Sequence, residues 1–183
     1  AYIDIPPFSL TMKILIVTPY LGSTYGGTSN IVSEIVQALG HQGISIDLVT
    51  TNANGSNKLN IPLNIWIKEK NYRVQYFSSW HSNDFILSPS LINWLFKHIK
   101  DYSIVHTNTV FAPLISLTHW LCRLYKVPYI MTPHGMLEPW AISYKAWKKR
   151  FYYTVIEKPT LNNTSAIQAT ATSESENIKS LGL

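Results

Sequence analysis

With one cysteine in 183 residues, the chain cannot form an internal disulfide, so its stability must come from packing and hydrogen bonding. That residue, Cys122, lies in an apolar stretch where a buried, inert thiol is expected, and such sparse cysteine fits a reducing, cytoplasmic compartment. Charge is scarce too. Asp, Glu, Lys and Arg make up 14% of the chain against 13% aromatics, a balance that predicts a thick core and an apolar surface that a neighbour would cover. No run approaches the ~20 apolar residues of a membrane span, because residues 111–125 are interrupted by Pro113, His119 and Arg123. Residues 1–11 have neither the basic start nor the apolar length of a signal peptide. They read as an extension, a cloning remnant or a disordered segment, with Met12 as the natural start of a single domain over residues 12–183.

Several motifs are missing, and each absence removes a class of chemistry. Gly-x-Gly-x-x-Gly does not occur, and the second predicted strand ends in Thr50-Thr51-Asn52 without an acid to hold a ribose, which argues against a nicotinamide enzyme. Gly22 and Gly27 have the spacing of a P-loop, but Thr28 stands at the lysine position, which argues against a nucleotide triphosphatase. There is no Gly-x-Ser-x-Gly elbow, and the six histidines and ten acids never take metal-ligand spacing on one helix face. Neither a metal nor a cofactor is expected.

The net charge of +5 and pI near 9.2 favour an anionic partner: nucleotide phosphate, nucleic acid or an acidic membrane face. Nucleic-acid binding would rest on Lys145, Lys148, Lys149 and Arg150, interleaved with Trp147, Phe151, Tyr152 and Tyr153. At helical spacing most of those aromatics share a stripe and the bases fall off it, so an amphipathic surface helix is the plainer reading and no nucleic-acid partner is expected. The same basic face, with Trp140 nearby, suits peripheral contact with anionic lipid head groups.

Periodicity organises the rest. Residues 13–18 form a β-branched run suited to a central parallel strand, residues 19–27 a glycine loop, and Ile31, Val32, Ile35, Val36 and Leu39 a helical stripe with Thr28 or Ser29 as N-cap. Residues 44–51 return as a strand, completing a βαβ unit. Short strands are expected at residues 65–67 and 73–77, and a helix opens at Pro89 with Leu91, Ile92, Leu95, Phe96 and Ile99. A strand at residues 103–106, a helix over 111–125 and a strand at 127–132 follow. A helix over about 144–160 should end or kink at Pro159, a last strand covers 165–169, and Ser173 with Glu176 forms a capping box for a final helix. Repeated β-α alternation predicts a doubly wound, Rossmann-like parallel sheet flanked by helices.

Two places stand out as sites. Pro133 ends the strand before it, and His134 with Gly135 follows at once, which places an imidazole just past the carboxyl end of a buried strand. A loop histidine satisfying a local hydrogen bond is the alternative. Gly26-Gly27 lies at a helix amino end, where backbone amides and the helix dipole favour an anion, or where a tight turn merely needs glycine.

The first strand followed by Gly26-Gly27 and a helix, then Ser103-Ile104-Val105-His106-Thr107, Thr132-Pro133-His134-Gly135, and Ala171-Thr172-Ser173-Glu174-Ser175-Glu176, resemble in order the amino-terminal domain of family 4 retaining glycosyltransferases. The resemblance covers residues 12–183, and the continuation Met136-Leu137-Glu138-Pro139-Trp140 resembles the branch that builds bacterial surface polysaccharides. It implies one Rossmann-like half of a two-domain B-type fold, with a nucleotide-sugar donor bound mainly by a carboxy-terminal domain that this chain does not contain. It implies transfer, with retention, to a glycan or lipid-linked acceptor, in the cytoplasm or at the inner membrane face. His134 would lie beside the transferred sugar, Gly26-Gly27 would approach the donor diphosphate or the acceptor, and Asn108, Glu138 and Trp140 would meet the acceptor. Asn108 stands where the family often has a second histidine, and Glu138 or Trp140 could instead be a surface charge and a core residue. The family's paired glutamates eight residues apart do not occur, so this half alone should be nearly inactive. The rival readings are a stand-alone α/β module binding an anion without catalysis, and a nucleotide-sugar epimerase of the same architecture.

Overall fold

The computed structural model describes residues 12–82, 85–138 and 151–183. Expectations for residues 1–11, for Trp140 and for the basic segment 144–150 lie outside the described residues.

The continuous β-branched run near the start forms β1 (Lys13–Val17), buried on both faces as its lack of alternation requires. It lies at the centre of a seven-stranded sheet ordered β11-β10-β9-β1-β2-β6-β5. The other members are β2 (Ser45–Thr51), β5 (Trp66–Lys68), β6 (Arg73–Phe77), β9 (Ile104–Asn108), β10 (Tyr129–Thr132) and β11 (Ala166–Ile167). All neighbours pair in parallel except β5, which runs antiparallel to β6 at the edge. Two small hairpins stand outside the sheet: β3 (Ala53–Asn54) with β4 (Asn57–Lys58), and β7 (Trp80–Ser82) with β8 (Phe85–Leu87). Their strands are too short to show periodicity, and neither hairpin was expected.

Alternate residues of the central strands feed two cores. Leu15, Val17, Val49 and Phe77 meet Leu91 and Leu95 of α2 (Pro89–His98) and Leu114, Ile115 and Leu121 of α3 (Pro113–Tyr125). Ile14, Ile16, Ile46 and Leu48 meet Val32 and Val36 of α1 (Gly27–His41) on the other face. Each such fully buried side chain contributes roughly 1.5–3 kcal/mol. A third, smaller cluster of Val110, Met131, Leu137, Leu161 and Ile178 seats α4 (Lys158–Leu161) and α5 (Thr172–Ser180). Cys122 is buried with no disulfide, as expected.

One buried carboxylate ties the sheet together. Asp47 on β2 accepts from Arg73 of β6 (2.5 and 2.8 Å) and from the Tyr102 hydroxyl (2.6 Å), and Lys13 of β1 lies 3.1 Å away. Burial alone would raise its pKa, but these partners more than offset that and hold it below the ordinary carboxylate value.

Three local expectations need correction. α1 opens directly on Gly26 and Gly27 without a side-chain cap; Ser29 turns back to donate to the Gly22 carbonyl (3.0 Å) rather than capping. Pro159 does not end its helix, because a π turn over Tyr153–Glu157 shifts the hydrogen-bond register ahead of a residue with no N–H to give. The Ser173–Glu176 capping box does not form: α5 begins two residues earlier, on Ala171 as N-cap, and Glu174 takes the local amide of Thr170.

Candidate active site

Strand order reverses at β1, since the chain lays β2 and β6 on one side and then returns to add β9, β10 and β11 on the other. The carboxyl ends of β1, β9 and β10 therefore flank the switch point where open α/β sheets hold ligands. The register places Val17 beside Thr107 and Asn108 beside Thr132, so the loops leaving these strands emerge side by side. Gly26-Gly27, Asn108, His134 and Glu138 all lie at this edge. Trp140, the remaining residue expected there, lies outside the described residues.

Gly26 has φ 58° and ψ −127°, a conformation open to little besides glycine, while a Cβ at Gly26 or Gly27 would meet nothing within 4 Å. Backbone geometry demands Gly26; no neighbouring atom demands Gly27. The space beside Gly26 and Gly27 is open and the first turn of α1 has no side-chain cap, an arrangement able to receive an anion.

The loops on the other side of the switch point are unusual in their backbone. Thr109, Phe111 and His134 have φ of 75°, 58° and 52°, values that cost a non-glycine residue free energy unless the surroundings enforce them. Thr109 is held by its amide on the Thr132 carbonyl (2.9 Å), and Phe111 by its amide on Glu157 (2.9 Å). Glu157 is fully buried, also accepts from Ser116 (3.0 Å), and is pushed by burial up to about 7.

His134 is half-buried, and its Nε2 lies 2.9 Å from Oδ1 of Asn108. Because that oxygen only accepts, Nε2 carries the proton and Nδ1 holds a lone pair. Among the described residues neither His134 Nδ1 nor Asn108 Nδ2 has a partner, although both are buried. Burial lowers the pKa of His134, partly opposed by the carboxylate of Glu174, so the imidazole is neutral at pH 7. Next to it, His106 is pushed down to about 4, first by burial and then by His134. Its Nε2 lies 2.8 Å from Thr132 Oγ1, which in turn donates to Gln168 Oε1 (3.2 Å), so β9, β10 and the end of β11 are linked beneath the site. His119 on α3 is fully buried, bonded to Thr107 (2.7 Å) and stacked on Tyr129, which marks it as a structural histidine.

Sequence reasoning missed Glu174. Its Oε1 accepts the Gly135 amide (2.5 Å), and its Oε2 accepts the amide and hydroxyl of Thr170 (2.6 and 2.7 Å). The capping-box pattern pointed to Ser173 and Glu176 instead; only the tertiary fold brings residue 174 to residue 135. Glu138 accepts from Asn177 of α5 at 2.5 Å, so one of its oxygens has a structural task. No group of three or more His, Cys, Asp or Glu that could hold a metal occurs among the described residues. A cavity of about 370 Å³ bordered by Leu161, Ala166, Ile178 and Leu183 includes none of these site residues.

A doubly wound, mostly parallel sheet whose switch point joins an uncapped glycine-led helix to a strained histidine loop defines an α/β, Rossmann-like fold. The chain belongs to Glycosyltransferase Family 4, whose model matches residues 25–183. Comparison with curated proteins returned no match. Among solved structures, the chain is similar to an alpha-glucosyltransferase in complex with UDP and a 13-mer DNA containing a central A:G mismatch. The identity there is 14%, over 88% of this chain and 37% of that one, with a TM-score of 0.52. It is also similar to UDP-GlcNAc 2-epimerase from Methanocaldococcus jannaschii (14% identity, 94% of this chain and 43% of that one, TM-score 0.51). UDP-N-acetylglucosamine 2-epimerase from Rickettsia bellii is a third (10%, 94% and 42%, TM-score 0.53). At these identities the likeness is one of fold, and the chain spans about two fifths of the length of the structures it matches.

Proposed function

We propose that this chain is the acceptor-side half of a cytoplasmic glycosyltransferase. It moves a hexosyl group from a nucleotide sugar to a glycan or lipid-linked acceptor in polysaccharide biosynthesis, with retention of configuration. The observation that carries the reading is His134: a neutral, partly exposed imidazole in a left-handed turn at the switch point, its Nε2 committed to Asn108. An imidazole so placed contacts a hydroxyl of the transferred sugar as the glycosidic bond breaks, while Asn108 keeps the tautomer. The uncapped amino end of α1 receives the donor diphosphate or a polar acceptor group. Asn108, which is buried, acts on that side by holding His134, and the second carboxylate oxygen of Glu138, with Trp140, meets the acceptor. The chemistry needs no metal from this half.

Neutralisation of the departing diphosphate falls to a second, carboxy-terminal domain, consistent with a chain that spans about two fifths of similar structures. No helix among the described residues is long and apolar enough to cross a membrane. Phe151, Val155 and Ile156 are exposed directly after the basic run, which supports peripheral contact with anionic lipid for an enzyme with a lipid-linked acceptor. In the two-domain enzyme, His134→Ala should lower kcat by roughly 100-fold or more and change the nucleotide Kd by less than about threefold. Near-normal turnover would remove His134 from the mechanism. The epimerases among similar structures make isomerisation the second reading, separated by product analysis: a new glycosidic bond against an isomerised nucleotide sugar.

A further inference from the structure

Glu174 makes more contacts than a helix cap requires. It is 1% exposed on the first turn of α5, and its carboxylate accepts three hydrogen bonds. Two come from Thr170, four residues away, and suffice to finish the helix end. The third comes from the Gly135 amide, 39 residues away and next to His134. His134 and Gly135 are consecutive left-handed residues, with φ of 52° and 77°. Such a pair is unfavourable at the histidine and needs an external anchor on the turn. Glu174 supplies it, at the cost of burying a carboxylate that only well-made hydrogen bonds make tolerable.

We propose that Glu174 is a positioning residue: by accepting the Gly135 amide it locks the left-handed His134–Gly135 turn that hands the imidazole to Asn108, so that α5 and the histidine loop move as one piece. The anchor is electrostatic as well as geometric. Two titratable groups bear on the imidazole: His106 from β9, which is neutral, and Glu174 from α5, whose charge pulls the proton affinity of His134 up against burial. The second bond between α5 and this loop, Asn177 to Glu138, runs parallel to the first and makes the coupling two-point.

The consequence for turnover rests on the reading of His134 given above; the geometric statement does not. Glu174→Asp separates them, because aspartate keeps the charge while its carboxylate, one methylene shorter, cannot span the Thr170 and Gly135 amides together. Imidazole ¹⁵N NMR of this chain should show the His134 Nε2 and Nδ1 resonances shifted in Glu174→Asp. In Glu174→Gln, loss of the charge should lower the His134 titration midpoint. In the two-domain enzyme, Glu174→Asp should lower kcat roughly 10- to 100-fold, with donor KM within about twofold. A melting temperature that falls while the His134 resonances, titration and kcat stay put overturns the proposal and leaves Glu174 a helix cap. If Glu174→Asp moves the His134 resonances while His134→Ala keeps wild-type turnover, positioning stands and the role of His134 in transfer falls.

Discussion

Replacing Glu157 by glutamine should stabilise this protein at alkaline pH and leave it nearly unchanged in acid. The carboxyl lies in the π turn before α4, with no exposed surface, accepting from the Phe111 amide and Ser116 hydroxyl through Oε1 while Oε2 has no partner among the described residues. Burial pushes it from 4.5 to about 7, against the smaller opposing effect of those two donors. At about 1.4 kcal/mol for each pH unit of that difference, ionising it costs the native state on the order of 3 kcal/mol. The sign follows from proton binding. Between pH 4.5 and about 7 the native chain holds a proton that the unfolded chain has released, so stability falls with rising pH across that window and stays low above it. Glutamine keeps the acceptor for Phe111 and Ser116 and cannot ionise. Urea unfolding followed by circular dichroism from pH 5 to pH 9 should show the two proteins matching at the acid end. They should diverge by about 3 kcal/mol above pH 8, or roughly 6–12 °C in Tm for a chain of this size. Parallel pH profiles would refute the reasoning, since they would mean that Glu157 titrates alike in both states.

Two further substitutions test the frame around the site. Asp47→Asn should destabilise by about 2–4 kcal/mol, because Arg73, Lys13 and Tyr102 lose the carboxylate they share. The depressed native pKa of Asp47 contributes stability above its unfolded value near 3.8 that is lost as pH falls through the native value, so the variant should show a flatter acid limb in denaturation. Gly26→Ala should cost about 1–3 kcal/mol through its backbone alone, since a Cβ there meets nothing; unchanged stability would show that the turn readily adopts another conformation.

Much of this protein was legible in the order of its residues. The β-branched run at 13–17 is near-continuously apolar because the central parallel strand is covered on both faces, so it could be placed without knowing its neighbours, while 45–51 was legible by alternation and 73–77 only as a short strand. Pro133 ending a buried strand put His134 at the carboxyl edge, and Gly26-Gly27 before a periodic stripe put a glycine-led helix start at the same edge. The order of those motifs also carried the resemblance to Glycosyltransferase Family 4, to which the chain belongs.

Contacts between distant segments decided the rest. No spacing rule links residue 174 to 135, 157 to 111 or 108 to 134, because each pair is joined only by the parallel stacking of β9 and β10 and the helices beyond them. Local chemistry even pointed the wrong way at α5. A Ser-x-x-Glu pattern is sufficient for a capping box in an isolated helix, yet the acid two residues earlier had a better partner in a distant amide, and the helix start moved to suit it. Periodicity determined the elements, because burial on one face or two is a local property of the chain. The left-handed histidine turn, its tautomer and its anchor were settled by tertiary structure, because each depends on a hydrogen bond that exists only once strands far apart in sequence lie side by side.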